Sequence, residues 1–171
     1  MFRWIPKFTL ACDLQCISCC LTRRNVINNL FSVHLLSWHN GQPLLRVVRE
    51  VVFMGEQGVS AEMEWDGLDG SCHHALALSA TGDAIGCGRI SPEGHIGRIA
   101  VLSAWRGKRV GSSLLESLLG YARSQHYSQV ELGAQIQAVP FYRRFNFTEV
   151  GEIFMDANMP HIKMQLRLRN C

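Results

Sequence analysis

The sequence contains no run of about 18 uncharged apolar residues, so no membrane-spanning helix is expected. Charged residues are sparse, 18% against 47% hydrophobic, which excludes a chain held open by its own charge. Proline is scarce, at 5 in 171 residues, and no proline- or glycine-rich linker divides the chain. There is no internal repeat and no low-complexity tract. The length predicts about one domain, and a domain of this size buries roughly 70% of its unfolded surface. Lysine and arginine are missing altogether between Arg49 and Arg89.

The charge that is present is uneven. Residues 1–31 hold Arg3, Lys7, Arg23 and Arg24 against Asp13, which accounts for the whole net charge of +3. The rest is neutral, which argues against a nucleic-acid binder, since that would show a basic face. Cysteine divides in the same way. Cys12, Cys16, Cys19 and Cys20 crowd near the start, while Cys72, Cys87 and Cys171 are scattered. An odd count of 7 reads as reduced thiols in a cytoplasmic protein. Arg3, Lys7 and the run Phe8–Cys12 imitate a signal peptide, but Asp13 and Gln15 interrupt it and no small-residue cleavage site follows.

Two parts follow from this: a Cys-rich basic extension over residues 1–31 and a domain over 32–171. In the domain, residues 32–38 alternate as a first strand. Asn40-Gly41 signals a turn, and Pro43 fits the first turn of a helix carrying Leu44, Val47, Val48, Val51 and Val52, ended by Gly55 and Gly58. Three short strands over 74–80, 84–91 and 95–101, joined by tight turns, predict an antiparallel meander. Val110, Leu114, Leu115, Leu118, Leu119 and Ala122 share one face of a long helix. A strand at 129–134, a short helix at 138–145 and strands at 148–154 and 162–168 complete the order β-α-βββ-α-β-α-β-β. This is an α/β fold with a mixed sheet and helices on both faces.

The segment Arg106-Gly107-Lys108-Arg109-Val110-Gly111 joins the last meander strand to the long helix. Backbone N–H groups and the positive end of a helix converge there, an arrangement that binds phosphate. Gly107 and Gly111 allow close backbone approach, and Arg106, Lys108 and Arg109 add charge. A basic helix start with a tight turn is the other reading. No Gly-Lys-Ser/Thr follows at the Walker spacing.

The domain resembles the GNAT N-acetyltransferases, and within them the ElaA-type subfamily. The family signature is Q/R-x-x-G-x-G/A, and Arg106 and Gly111 fill its first and last places, with Arg109 where a glycine is usual. VFMGEQGV (52–59), EWDGLD (64–69), AQIQAVPFYRRFNF (134–147) and MPHIKM (159–164) also match the subfamily. The resemblance implies a mostly antiparallel sheet splayed between strands 4 and 5. It implies an acetyl-CoA co-substrate, with strand groups at Ile99, Ala100 and Val101 along the pantetheine arm and the amides of residues 107–111 on the pyrophosphate. It implies acetyl transfer to a primary amine, of a small molecule, a peptide or a lysine, by direct attack, without a metal; it also admits a homodimer.

Tyr142 stands where such enzymes keep a tyrosine to protonate the leaving thiolate; a phenol packed beside Phe141 and Phe145 is the other reading. Glu131 and Glu64 are base candidates, together with Glu56 and Asp66, and His161 stands behind them. Five acids without a base between Glu56 and Asp69 would attract a cationic amine, with Trp65 as an aromatic wall and His161 at the site mouth. So Glu56, Trp65, Asp66 and His161 form the expected acceptor side; an ordinary solvated loop is the alternative. Two other functions fit parts of the chain. One is a non-catalytic acyl-CoA-binding module on the same fold. The other is a redox or iron–sulfur module on Cys12, Cys16 and Cys19, whose spacing resembles a cluster motif; a zinc site with Cys20 is a variant of it.

Overall fold

The computed structural model describes residues 30–168. The N-terminal cysteines, and most of the extension expected over residues 1–31, lie outside the described residues. The described residues open with strand β1 (Phe31–Ser37), which runs directly into helix α1 (Trp38–Arg49), and this continues as a π-helical stretch, Glu50–Glu56. After the short helix α2 (Ala61–Glu64) come β2 (His73–Ser79), β3 (Ala84–Ile90) and β4 (Ile96–Val101). Helix α3 (Val110–Ser124), β5 (Gln129–Gln135), helix α4 (Val139–Arg143), β6 (Thr148–Asp156) and β7 (Met159–Arg167) follow. The order of major elements is the one expected from periodicity.

The strands form two sheets, β1-β2-β3-β4 and β5-β7-β6, antiparallel throughout. Every residue of β3 is buried, because it lies between two strands and under helices on both faces. Helix α3 covers one face. Leu114, Leu115, Leu118 and Ala122 pack there against Ala75, Ala77 and Ile85 of the first sheet and Val130, Leu132 and Met164 of the second. One helix therefore bridges both sheets. Helix α1 covers the opposite face of the first sheet with Leu45, Val48 and Val52, packed on Leu76, Cys87 and Ala100.

The start of α1 differs from expectation. Asn40-Gly41 is not a turn but lies inside the helix, and Pro43 is interior rather than in the first turn. Gly41 is buried, and a Cβ there would collide with Leu36 of β1. The glycine is present for close packing of helix on strand, not for a bend. The buried stripe is also narrower than the apolar spacing suggested. Leu44, Val47 and Val51 stay substantially exposed, because a 3.6-residue period turns only one of each adjacent apolar pair toward the sheet.

Candidate active site

Strands β4 and β5 start side by side. A parallel bridge joins His95 to Glu131, and the Glu131 N–H donates to the Gly94 carbonyl at 3.0 Å. Beyond that point each strand belongs to a different sheet, so the two diverge and a cleft opens between them. At the same place β4 is irregular. Its register against β3 slips between Cys87 and Arg89, and Arg98 takes φ 53°. Such a bulge re-aims the strand. A left-handed arginine costs roughly 1–2 kcal/mol, and tertiary bonds hold it: Arg98 Nη2 donates to the carbonyls of Met63 at 3.0 Å and Glu64 at 3.2 Å.

The cleft encloses a cavity of about 400 Å³. Gly97, Arg98 and Ile99 of β4 line one side, and Glu131, Gly133 and Gln135 of β5 the other. Tyr142 of α4 and the pair His161 and Lys163 of β7 close it, with Phe154 and Asp156 of β6. Phe53, Gln57 and Met63 bring the π-helical stretch and α2 to its rim.

The open end of β4 leads to the basic loop. Arg106, Gly107, Lys108 and Arg109 are exposed, Val110 is buried and Gly111 is partly buried. Gly107 has φ 74°, and Arg109, the residue before α3, has φ 66° and makes no side-chain capping bond. The first-turn amides of a helix have no intrahelical acceptor. The Ser113 N–H is the first to reach a carbonyl, that of Arg109, at 3.0 Å. The loop is tied down by Arg106, whose Nε donates to the Val101 carbonyl at 3.0 Å and whose guanidinium pairs with Glu56. Lys108 stacks over Trp105 at 4.9 Å. Ile99 faces the cavity, whereas the Ala100 side chain is buried against α1.

Glu64, Asp66 and Asp69 of the connection after α1 are each held by arginines. Glu64 is buried and pairs with Arg49 and, at 3.0 Å, with Arg98 Nε. Asp66 accepts from Arg89 Nη1 at 2.9 Å and Arg98 Nη2 at 3.3 Å. Asp69 Oδ1 accepts from Arg49 and Arg89, both at 2.8 Å. Three carboxylates thus meet three arginines, and Glu62, exposed on α2, stands outside this network. The arginines that bracket the base-free stretch of sequence fold back to neutralise it. Trp65 lies under the guanidinium groups of Arg46 and Arg49, at 4.2 and 4.6 Å. Glu56, Trp65 and Asp66 do not line the cavity; His161 does.

The ionisation of these groups follows their partners. Hydrogen bonding to Arg89 holds the Asp66 carboxyl well below the usual range. Burial raises the Glu64 carboxyl, with Arg49 and Arg98 pulling the other way. Glu131 is lowered, chiefly by the Lys163 ammonium at 2.7 Å, which weakens it as a base. Burial pushes the Tyr142 phenol up to about 12 and the Cys87 thiol up to about 12, so that thiol is inert. His95, lowered chiefly by burial, lies 3.9 Å from Glu131. His95, Phe154 and Lys163 are cavity residues that spacing alone did not single out. Lys163 sits within MPHIKM, and its antiparallel register opposite Gly133, next to Glu131, is what brings it to the cleft. Among the described residues, no group of three or more His, Cys, Asp or Glu is placed to hold a metal ion, and no helix is long and apolar enough to cross a membrane.

Residues 51–168 match the acetyltransferase (GNAT) domain. The uncharacterized N-acetyltransferase YjcF of Bacillus subtilis is 36% identical over 121 residues, 68% of this chain and 86% of that protein. The crystal structure of an acyl-CoA N-acyltransferase from Pseudomonas aeruginosa superposes with a TM-score of 0.70 at 30% identity, covering 79% of this chain and 98% of that one. The crystal structure of Escherichia coli ElaA gives 0.69 at 30% identity, covering 78% and 97%. The chain belongs to the GNAT acetyltransferase family.

Proposed function

We propose that the protein transfers an acetyl group from acetyl-CoA to a primary amine by direct attack of the amine nitrogen on the thioester carbonyl. One observation carries this reading: β4, which lines the cavity at Gly97–Ile99 and is the edge strand of its sheet, runs on in the chain to the basic loop that starts α3. A CoA thioester has that shape, a polar diphosphate at one end and a narrow pantetheine arm ending in the reacting carbonyl. The similarity to an acyl-CoA N-acyltransferase supports the donor class.

In this reading the first-turn amides of α3, with Gly107 and Gly111, receive the diphosphate through N–H donors and the positive helix end. Arg106 is a latch for the loop, already engaged by Glu56, so Lys108 supplies the side-chain charge and Arg109 contributes through its backbone. The free edge of β4 at Ile99 and Val101 offers backbone groups to the amides of the arm. Tyr142 faces the cavity and serves the departing thiolate. Titration calorimetry of acetyl-CoA into the reduced full chain should show micromolar binding, followed by CoA release with amines. No heat at millimolar ligand would reject the reading.

Arg109 tests the loop separately. Its left-handed conformation strains an arginine by about 1–2 kcal/mol, whereas glycine adopts it freely but loses about 0.5–1 kcal/mol through its looser unfolded chain. Arg109→Gly is expected to fold with equal or slightly greater stability and to keep or improve acetyl-CoA affinity. A large loss of affinity on calorimetry would show instead that the side chain itself grips phosphate.

A further inference from the structure

His161 sits on β7 opposite Gln135 of β5 and Phe154 of β6. It is only 8% exposed. Its ring stacks on Phe154 with centroids 5.9 Å apart and planes 28° from parallel. Nδ1 lies 2.8 Å from the Met159 carbonyl oxygen. A carbonyl oxygen can only accept, so in the neutral ring Nδ1 carries the proton and Nε2 keeps its lone pair. Nε2 has no partner among the described residues, and the ring lines the same cavity as Tyr142. A buried imidazole with a fixed tautomer and an open lone pair is poised to take a proton.

The other titratable groups lining this cavity are committed to partners, protonated, exposed at the rim or not fixed in tautomer. From β5, Glu131 is bonded to Lys163 of β7 at 2.7 Å and to Gln165 at 3.3 Å. From α2, Glu64 is bonded to Arg49 and lies 3.0 Å from Arg98 of β4. From α4, the Tyr142 phenol keeps its proton. Asp156 of β6 is exposed at the rim. His95, before β4, has only Glu131 near Nδ1, at 3.9 Å, too far to fix its tautomer.

We propose that His161 Nε2 is the general base for the acceptor amine, with the Met159 carbonyl and Phe154 as positioning groups. This assignment rests on the acetyl-transfer reading above. Nε2 takes one proton from the acceptor ammonium. The freed nitrogen pair forms the N–C bond to the thioester carbonyl, and the C–S pair leaves with sulfur. The second N–H proton departs as the adduct collapses and reaches the thiolate through solvent. The protonated imidazole then releases its proton, so amide, CoA thiol and one proton are the products.

Two measurements on the full chain test this. Nitrogen NMR of 15N-histidine-labelled protein should show His161 as the Nδ1–H tautomer; an Nε2–H tautomer overturns the assignment. With acetyl-CoA and n-butylamine or spermidine as probe amines, His161→Gln should lower kcat/KM by roughly 100-fold or more, with acetyl-CoA affinity unchanged on calorimetry. A kcat/KM that is unchanged in His161→Gln, or lowered only in His95→Gln, overturns it. The tautomer is read whether or not a probe is turned over. A wild-type chain that acetylates neither probe speaks against acetyl transfer, and the tautomer still decides for or against His161.

Discussion

Asp69→Ala is expected to destabilise the fold by about 3–5 kcal/mol, the usual cost of leaving a buried charge without its partner. Asp69 Oδ1 is shared by Arg49 of α1 and Arg89 of β3 at 2.8 Å each. Its backbone carbonyl also lies 3.1 Å from His74 Nε2. Without the carboxylate, two guanidinium groups, 1% and 9% exposed, keep one carboxylate partner set each. That loss is a large share of the ~5–15 kcal/mol that holds a typical domain folded. Urea denaturation should show it as a lower midpoint. Glu50→Ala removes a pair with Arg46 that is 41% and 47% exposed and should cost less than about 1 kcal/mol. Equal effects in the two variants would show that the buried network does not hold the fold.

The same network sets an acid limit. Pairing with Arg89 depresses Asp66. Burial pushes Asp69 up, but its bonds to Arg49 and Arg89 outweigh that and leave it lowered. Carboxylates with a depressed folded pKa stabilise the protein above their unfolded pKa of about 4, and that contribution is lost as pH falls through the folded value. Glu64, raised by burial, acts with the opposite sign: its ionisation above about pH 4.5 opposes folding. Stability should therefore fall below about pH 4, and less steeply in Asp69→Asn.

The segment EWDGLD shows what sequence carried and what it withheld. Its acids were legible as a charged stretch in a place that the family resemblance assigns to the acceptor side. Their partners were not, because Arg49 and Arg89 reach them through tertiary packing across 15 to 23 residues of chain. The same limit applies to Gly41, where a turn-like dipeptide serves helix–strand contact. Local periodicity, by contrast, placed the α3 face fully, since each of its six apolar positions is buried. The basic loop was legible as a candidate anion site from composition alone. The left-handed Arg109 was not, because φ is fixed by how β4 feeds α3 and not by the residue itself.

Tyr142→Phe is expected to lower turnover by about 10- to 100-fold while leaving acetyl-CoA affinity intact. The ring packs edge-on against Phe141 at 5.0 Å and Phe147 at 6.0 Å, and phenylalanine preserves both contacts. What is lost is one O–H donor facing the cavity. With its pKa pushed up to about 12, the phenol is a weaker acid than a thiol of about 8.5, so in the proposed reaction it would stabilise the leaving thiolate by hydrogen bonding rather than by full proton transfer. A hydrogen bond to a charged group contributes about 1.5–3 kcal/mol, which is the stated range of rate. The loss should be independent of pH across the neutral range, because the phenol stays protonated throughout. Stability provides an independent check. A phenol whose folded pKa is raised favours its protonated form, so wild-type stability is present below about pH 10 and is lost as pH rises toward 12. The phenylalanine variant lacks that loss. If single-turnover rates match the wild type under conditions where chemistry limits, Tyr142 has no part in the departure of the thiolate.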